Sequence, residues 1–240
     1  MNLETTNPLL RRAASFAGEE TATMNLNGTV NKTGILLLIC AGGAVFGWMT
    51  PALQTGLVAI PLILALVFCL VAVFKPTTSP ITAPCYAACE GLALGAFSQI
   101  LNAHYPGIVI NAILLTFSVL GLFLFLYMTR IVRVTQGFRT AIIAATLGIG
   151  AVYLIDIVLR LFGVSVPFIH DNGALGIGIS LVICGVAAFN FFLDFDAIER
   201  YIRAGSPKYM EWYSGLALLV TLVWLYLEIL RLLSKLQSRR

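Results

Sequence analysis

An all-α membrane protein, built as a bundle of seven spanning helices, is the architecture that three observations predict. Of 240 residues, 59% are hydrophobic and only 11% charged, with a mean hydropathy of +0.93, whereas a soluble domain carries about a quarter charged residues. Seven apolar runs approach the ~20 residues that cross a bilayer as a helix: 34–52, 56–74, 81–101, 108–128, 141–162, 175–195 and 216–234. Lys and Arg crowd the tail and alternate links, the distribution that orients spanning helices.

The first 33 residues are polar and hold no apolar stretch of the kind a signal peptide needs. They read as a disordered cytoplasmic tail. Its Asn27-Gly-Thr29 and Asn31-Lys-Thr33 triplets match the glycosylation pattern, which is common by chance and has no meaning on a cytoplasmic segment. The transmembrane unit then runs over 34–235, and 236–240 form a basic C-terminal tail. Short links (TPALQT, KPTTSP, NAHYPG) join the early runs, which suits antiparallel neighbours, and small-residue stretches such as AGGAVFG and EGLALGA permit close helix approach. In lipid the backbone must satisfy itself, so the runs are helices rather than open sheet. The five cysteines (Cys40, Cys69, Cys85, Cys89, Cys184) all lie in apolar runs. None has zinc-ligand spacing, so they read as small, buried, reduced residues.

Orientation follows from the cations. Arg11, Arg12 and Lys32 of the tail, Lys75, the Arg130/Arg133/Arg139 link and the Arg200/Arg203/Lys208 link share one side. TPALQT, NAHYPG and GVSVPFIHDNGA contain no Lys or Arg. The tail and even-numbered links are therefore expected in the cytoplasm. The basic ending SKLQSRR breaks the pattern if the seventh run crosses fully, which its lack of Gly and Pro favours.

Ionisable residues inside spans are costly and are functional-site candidates. Asp156 precedes Arg160 by four residues, the order of an ordinary helical ion pair. Glu228 precedes Arg231 by three, and both a local pair and a functional role stand for it. Glu90 has no basic residue within four positions. It reads as a protonated acid hydrogen-bonded to a neighbouring helix, or as part of a proton relay. In NFFLDFDAIERYIR, helix geometry turns Asp194 and Asp196 about 200° apart. Asp196 joins the face of Arg200 as an end-of-helix pair, while Asp194 stacks with Asn190 and turns into the bundle.

At these residues the chain resembles the Bax-inhibitor family, the transmembrane Bax-inhibitor-motif proteins and their bacterial relatives. The sixth span closes on Asp194 with Ile198 four residues later and Glu199 after it, and the last run, LVWLYLEILRLLS, has the family's late Arg-Leu-Leu. The long tail, PGIVINAILLT and LDFDAIER look like the bacterial branch. The resemblance implies a seven-helix bundle with the last helix central, sited in the plasma (inner) membrane. It also implies a pH-dependent calcium leak controlled by two aspartates that share a proton, since adjacent carboxylates do not readily both ionise. Asp194 maps to the first of them, and Thr221 stands where the second is expected.

Two functions are in view. One is a passive calcium or proton pathway near Asp194, with Asn190, Glu90, Thr221 and Glu228 along it. A single carboxylate with neutral oxygens would bind calcium only weakly. The other is a membrane regulator, without transport of its own, that binds a membrane-anchored protease or another membrane partner. No cofactor and no nucleic acid are implied. An enzyme is not expected, because no nucleophile–base or metal constellation is present; His104 and His170 both fall in outer links.

Overall fold

The computed structural model describes residues 23–162 and 173–239. Expectations for residues 1–22, and for most of the link that carries His170, lie outside them. Among the described residues there are seven helices of 16 residues or more and no sheet. They are α1 (Leu26–Met49), α2 (Ala59–Phe74), α3 (Ser79–His104), α4 (Ile108–Met128), α5 (Gln136–Leu161), α6 (Ala174–Arg203) and α7 (Met210–Gln237). Five of them, α1 and α4 to α7, are long and apolar enough to cross a membrane. Two depart from the expected set of seven: α2 is only 16 residues long, and α3 has the length but not the hydropathy.

Several boundaries correct the sequence reading: α5 starts at Gln136 rather than 141, α6 runs on to Arg203 rather than ending at 195, and three more shifts have visible local causes or partners. Helix α1 begins at Leu26, so residues 26–33 are its first two turns rather than tail. The Asn25 side chain caps it by accepting from Gly28 N at 2.7 Å, and the hydroxyls of Thr29 and Thr33 donate to carbonyls four residues back. Polar residues of this kind satisfy themselves within a helix, which composition does not register. Helix α2 starts three residues late because Thr55 and Gly56 leave helical geometry, with Gly56 at φ 104°. Helix α7 begins six residues before the apolar run it contains, at Met210.

The tightest pairing is between α1 and α3. Gly91 and Gly95 of α3 face the carbonyls of Cys40 and Ala44, while Gly43 and Gly47 of α1 face those of Ala88 and Leu92. A Cβ at any of the four would overlap the opposing backbone. Helix α3 also packs on α2 and α7, and 12 of its 26 residues are buried, among them Ser79, Thr82, Glu90 and Ser98. A helix screened from lipid by its neighbours can carry such residues, which accounts for its low hydropathy. Helix α7 packs against α1, α3, α4 and α6, and half of its apolar stretch is buried. At the other extreme, α5 leans mainly on α6 and leaves nearly all of its length exposed.

The interlock predicts an asymmetric response to glycine substitution. Gly95→Leu forces α1 away from α3, and overpacking of this kind costs about 1–3 kcal/mol or more. The purified variant should melt well below wild type. Gly121→Ala, where a Cβ meets open space on α4, should leave the melting temperature unchanged.

Candidate functional site

Helices α6 and α7 are antiparallel neighbours joined by a tight link. Its turn uses Gly205 at φ 65°, a left-handed conformation that costs glycine nothing. The Arg200 and Ile202 carbonyls accept from Ala204 N and Gly205 N and close the end of α6. This hairpin brings the middle of α7 against the last third of α6. There the Thr221 hydroxyl donates to the Asp194 carboxylate at 2.7 Å. Asp194 lies nine residues from the end of α6 and Thr221 eleven from the start of α7. At 1.5 Å per residue the contact is about 14–17 Å inside either helix end, deeper than the apolar-run boundaries imply.

Every other acid on α6 has a basic partner. Asp196 meets Arg139 of α5 at 2.5 Å and Arg200 of its own helix at 3.1 Å. Glu199 binds Arg130 at 2.9 Å, pairs with Arg203, and accepts from the Tyr127 hydroxyl at 2.6 Å. Asp194 has no ion pair among the described residues. The helical wheel explains the division: Asp196 and Glu199 point to the basic ends of α4 and α5, whereas Asp194 points to α7. Phe191 and Phe192, both fully buried, flank this turn, and Phe192 packs against Phe123 of α4.

Asn190 shares a face with Asp194 but makes no hydrogen bond to it among the described residues. Its amide donates to Thr146 of α5 at 2.9 Å and to the Val186 carbonyl at 2.8 Å. Glu228 is fully partnered: it accepts from the Tyr153 hydroxyl at 2.7 Å and Trp224 Nε1 at 3.2 Å, and lies 3.1 Å from Arg231. Arg231 also stacks over the Tyr153 ring, with 4.9 Å to the centroid, so the local pair extends into a bridge between α5 and α7. Asp156 and Arg160 pair at 3.1 Å, as their spacing implies. Glu90 is buried near Cys40, Cys69 and Tyr86 of three different helices. It makes no hydrogen bond or ion pair among the described residues, so the neighbouring-helix bond expected for it is not formed. The five residues of the expected pathway therefore do not form one cluster. Only Asp194 and Thr221 are in contact.

Sequence reasoning missed Glu211. It sits in the first turn of α7, fully buried, and receives Asn25 N–H at 3.2 Å and the Lys32 ammonium at 3.2 Å. Gly28 leaves it room, since a Cβ there would overlap the carboxylate. Two helix N-termini converge on this acid, and their partial positive charges favour it. Met24 N–H adds a bond to the Ser206 carbonyl at 2.8 Å, and the Ser79 hydroxyl of α3 reaches the Tyr209 carbonyl at 3.0 Å. The starts of α1, α3 and α7 are thus pinned together at the basic end of the bundle. The available signal was an acid just ahead of the last apolar run, matched by Lys32 ahead of the first.

The model of the Bax inhibitor 1 like family matches residues 7–238, nearly the whole chain. The chain belongs to this family. No curated protein and no solved structure matches it. As a member of the Bax inhibitor 1 like family, it is a membrane protein with several apolar helices. At its α6–α7 contact a hydroxyl, Thr221, faces the Asp194 carboxylate.

Removing the Glu211 anchor should loosen one end of the bundle without melting the rest. Glu211→Ala strands Lys32 and the Asn25 N–H, and breaking a buried pair costs about 3–5 kcal/mol. Hydrogen exchange should accelerate over Asn25–Thr33 and the first turn of α7, while amides of α4 remain protected.

Proposed function

We propose that this Bax inhibitor 1 like protein is a passive cation pathway, for calcium or protons, whose narrow point is the Asp194–Thr221 contact between α6 and α7. The observation that carries the reading is a half-buried carboxylate between α6 and α7, hydrogen-bonded by a neutral hydroxyl and lacking the basic partner given to every other acid of its helix. A charge within a span and without a counter-ion is expensive. The cost is tolerable where the group exchanges a proton or receives a passing cation. Asp194 supplies the negative charge and Thr221 a neutral oxygen, and one carboxylate with neutral oxygens holds calcium weakly enough to release it.

In this reading all seven helices sit across the membrane, α7 lies at the centre and the chain has no enzymatic role. The N-terminus is cytoplasmic, because Lys32, Arg130, Arg139, Arg200 and Arg203 gather at the end where α1 begins. A bacterial plasma membrane is the proposed location.

Reconstitution into protein-only liposomes tests the pathway. Calcium and proton flux should fall about tenfold in Asp194→Asn, the effect of losing about 1.4 kcal/mol of cation interaction. Asp196→Asn, whose carboxylate serves Arg139 and Arg200, should change flux little. Equal losses in the two variants, or no flux from wild type, would remove the reading. Orientation has a separate check: a cysteine placed at His104 should react with impermeant reagents added outside the cell and not with reagents confined to the cytoplasm.

A further inference from the structure

Helices α1, α4, α6 and α7 line an open groove of about 850 Å³. Its inner mouth holds Arg130 and Arg203, and its walls are almost wholly apolar, including Leu37, Leu120, Phe191 and Leu219. Along α1 it extends from Leu26 to Leu37. Eleven residues at 1.5 Å span about 17 Å, close to half of a bilayer core of about 30 Å. The groove is therefore one leaflet deep. Gly34 lies on its wall about three quarters of the way in, and a Cβ there would meet nothing within 4 Å, so the wall is recessed at that point.

The mouth carries the second observation. Arg130, in the turn just past α4, and Arg203, the last residue of α6, both bind the same oxygen of Glu199, and the Tyr127 hydroxyl occupies the other. One carboxylate thus holds two guanidiniums side by side and leaves one positive charge unbalanced. Each guanidinium has five donors and uses few of them here. Both side chains are more than 60% exposed, so the remaining donors are free for a ligand. Paired arginines of this type suit a phosphate, which they bind through two parallel hydrogen bonds.

We propose that this groove is a binding site for an anionic phospholipid of the basic leaflet. An acyl chain lies along α1 past Gly34, and the phosphate sits between Arg130 and Arg203. The surrounding medium supplies the occupant, and basic pockets between membrane helices recognise headgroups in this way. The site is separate from the Asp194–Thr221 contact and does not rest on an ion pathway.

Native mass spectrometry of the full chain in detergent, with equimolar phosphatidylglycerol and phosphatidylcholine, tests the assignment. Wild type should retain phosphatidylglycerol in at least about fivefold excess, given about 1 kcal/mol per basic residue near a lipid surface. Arg130→Gln combined with Arg203→Gln should erase the preference. Gly34→Trp fills the recess and should lower retention of both lipids, whereas Gly121→Trp, also in open space but off the groove, should not. Asp194→Asn should bind lipid as wild type does, which keeps this result distinct from the flux measurement. Equal retention of the two lipids by wild type overturns the proposal, as does an unchanged preference in the double arginine variant. So does full retention by a folded Gly34→Trp protein, or a cross-link from Gly34→Cys to residues 1–22 or to a second copy of the chain.

Discussion

The contact on which the rest of the bundle depends is the glycine interlock of α1 with α3. Lipid is as apolar as a leucine side chain, so burial does not drive membrane helices together, and close packing has to. Gly43 and Gly47 on one helix and Gly91 and Gly95 on the other let two backbones meet without side chains between them. Helix α7 then packs against both members of the pair, with Gly215 close to Thr33 of α1. The Tyr226 hydroxyl of α7 meets Ser98 of α3 at 2.7 Å within the same seam. The placement of Thr221 follows from that docking.

Charge is sorted by height and by face. At the basic end, acids from α6 and α7 are matched to cations from α1, α4 and α5: Glu211 with Lys32, Glu199 with Arg130, Asp196 with Arg139. These pairs tie α1 to α7, the end of α4 to α6, and α5 to α6, and the one with most to lose when broken is Glu211–Lys32, whose carboxylate is fully buried. Further along, Glu228 performs the same role between α7 and α5 through Tyr153 and Arg231. Asp194 departs from this rule: among the described residues it has a hydroxyl partner, Thr221, and no cation.

The groove and the Asp194 contact lie on adjacent faces of α6 and α7. Phe191, Phe195 and Leu222 line the groove, while Asp194 and Thr221 meet between the two helices.

Much of the protein is legible in one dimension, for local reasons. Apolar runs locate the helices because a span must be apolar along its length. Pairs at three and four residues, Asp156 with Arg160, Asp196 with Arg200 and Glu228 with Arg231, follow from the pitch of a single helix. The same pitch separates Asp194 from Asp196, and the family resemblance places Thr221 opposite Asp194. Other features depend on partners far away in the chain. Polar residues 26–33 are helical because Asn25 caps them and Glu211, 186 residues from Asn25, anchors the cap. Glu211 itself reads as a link residue until the starts of α1 and α7 are seen together. Asn190 turns to Thr146, and Glu228 gains Tyr153, because α5 docks on one side of α6 and its tyrosine reaches α7. Helix periodicity states which side chains share a face. Which neighbour that face meets is set by long-range packing, and only the tertiary structure decides it.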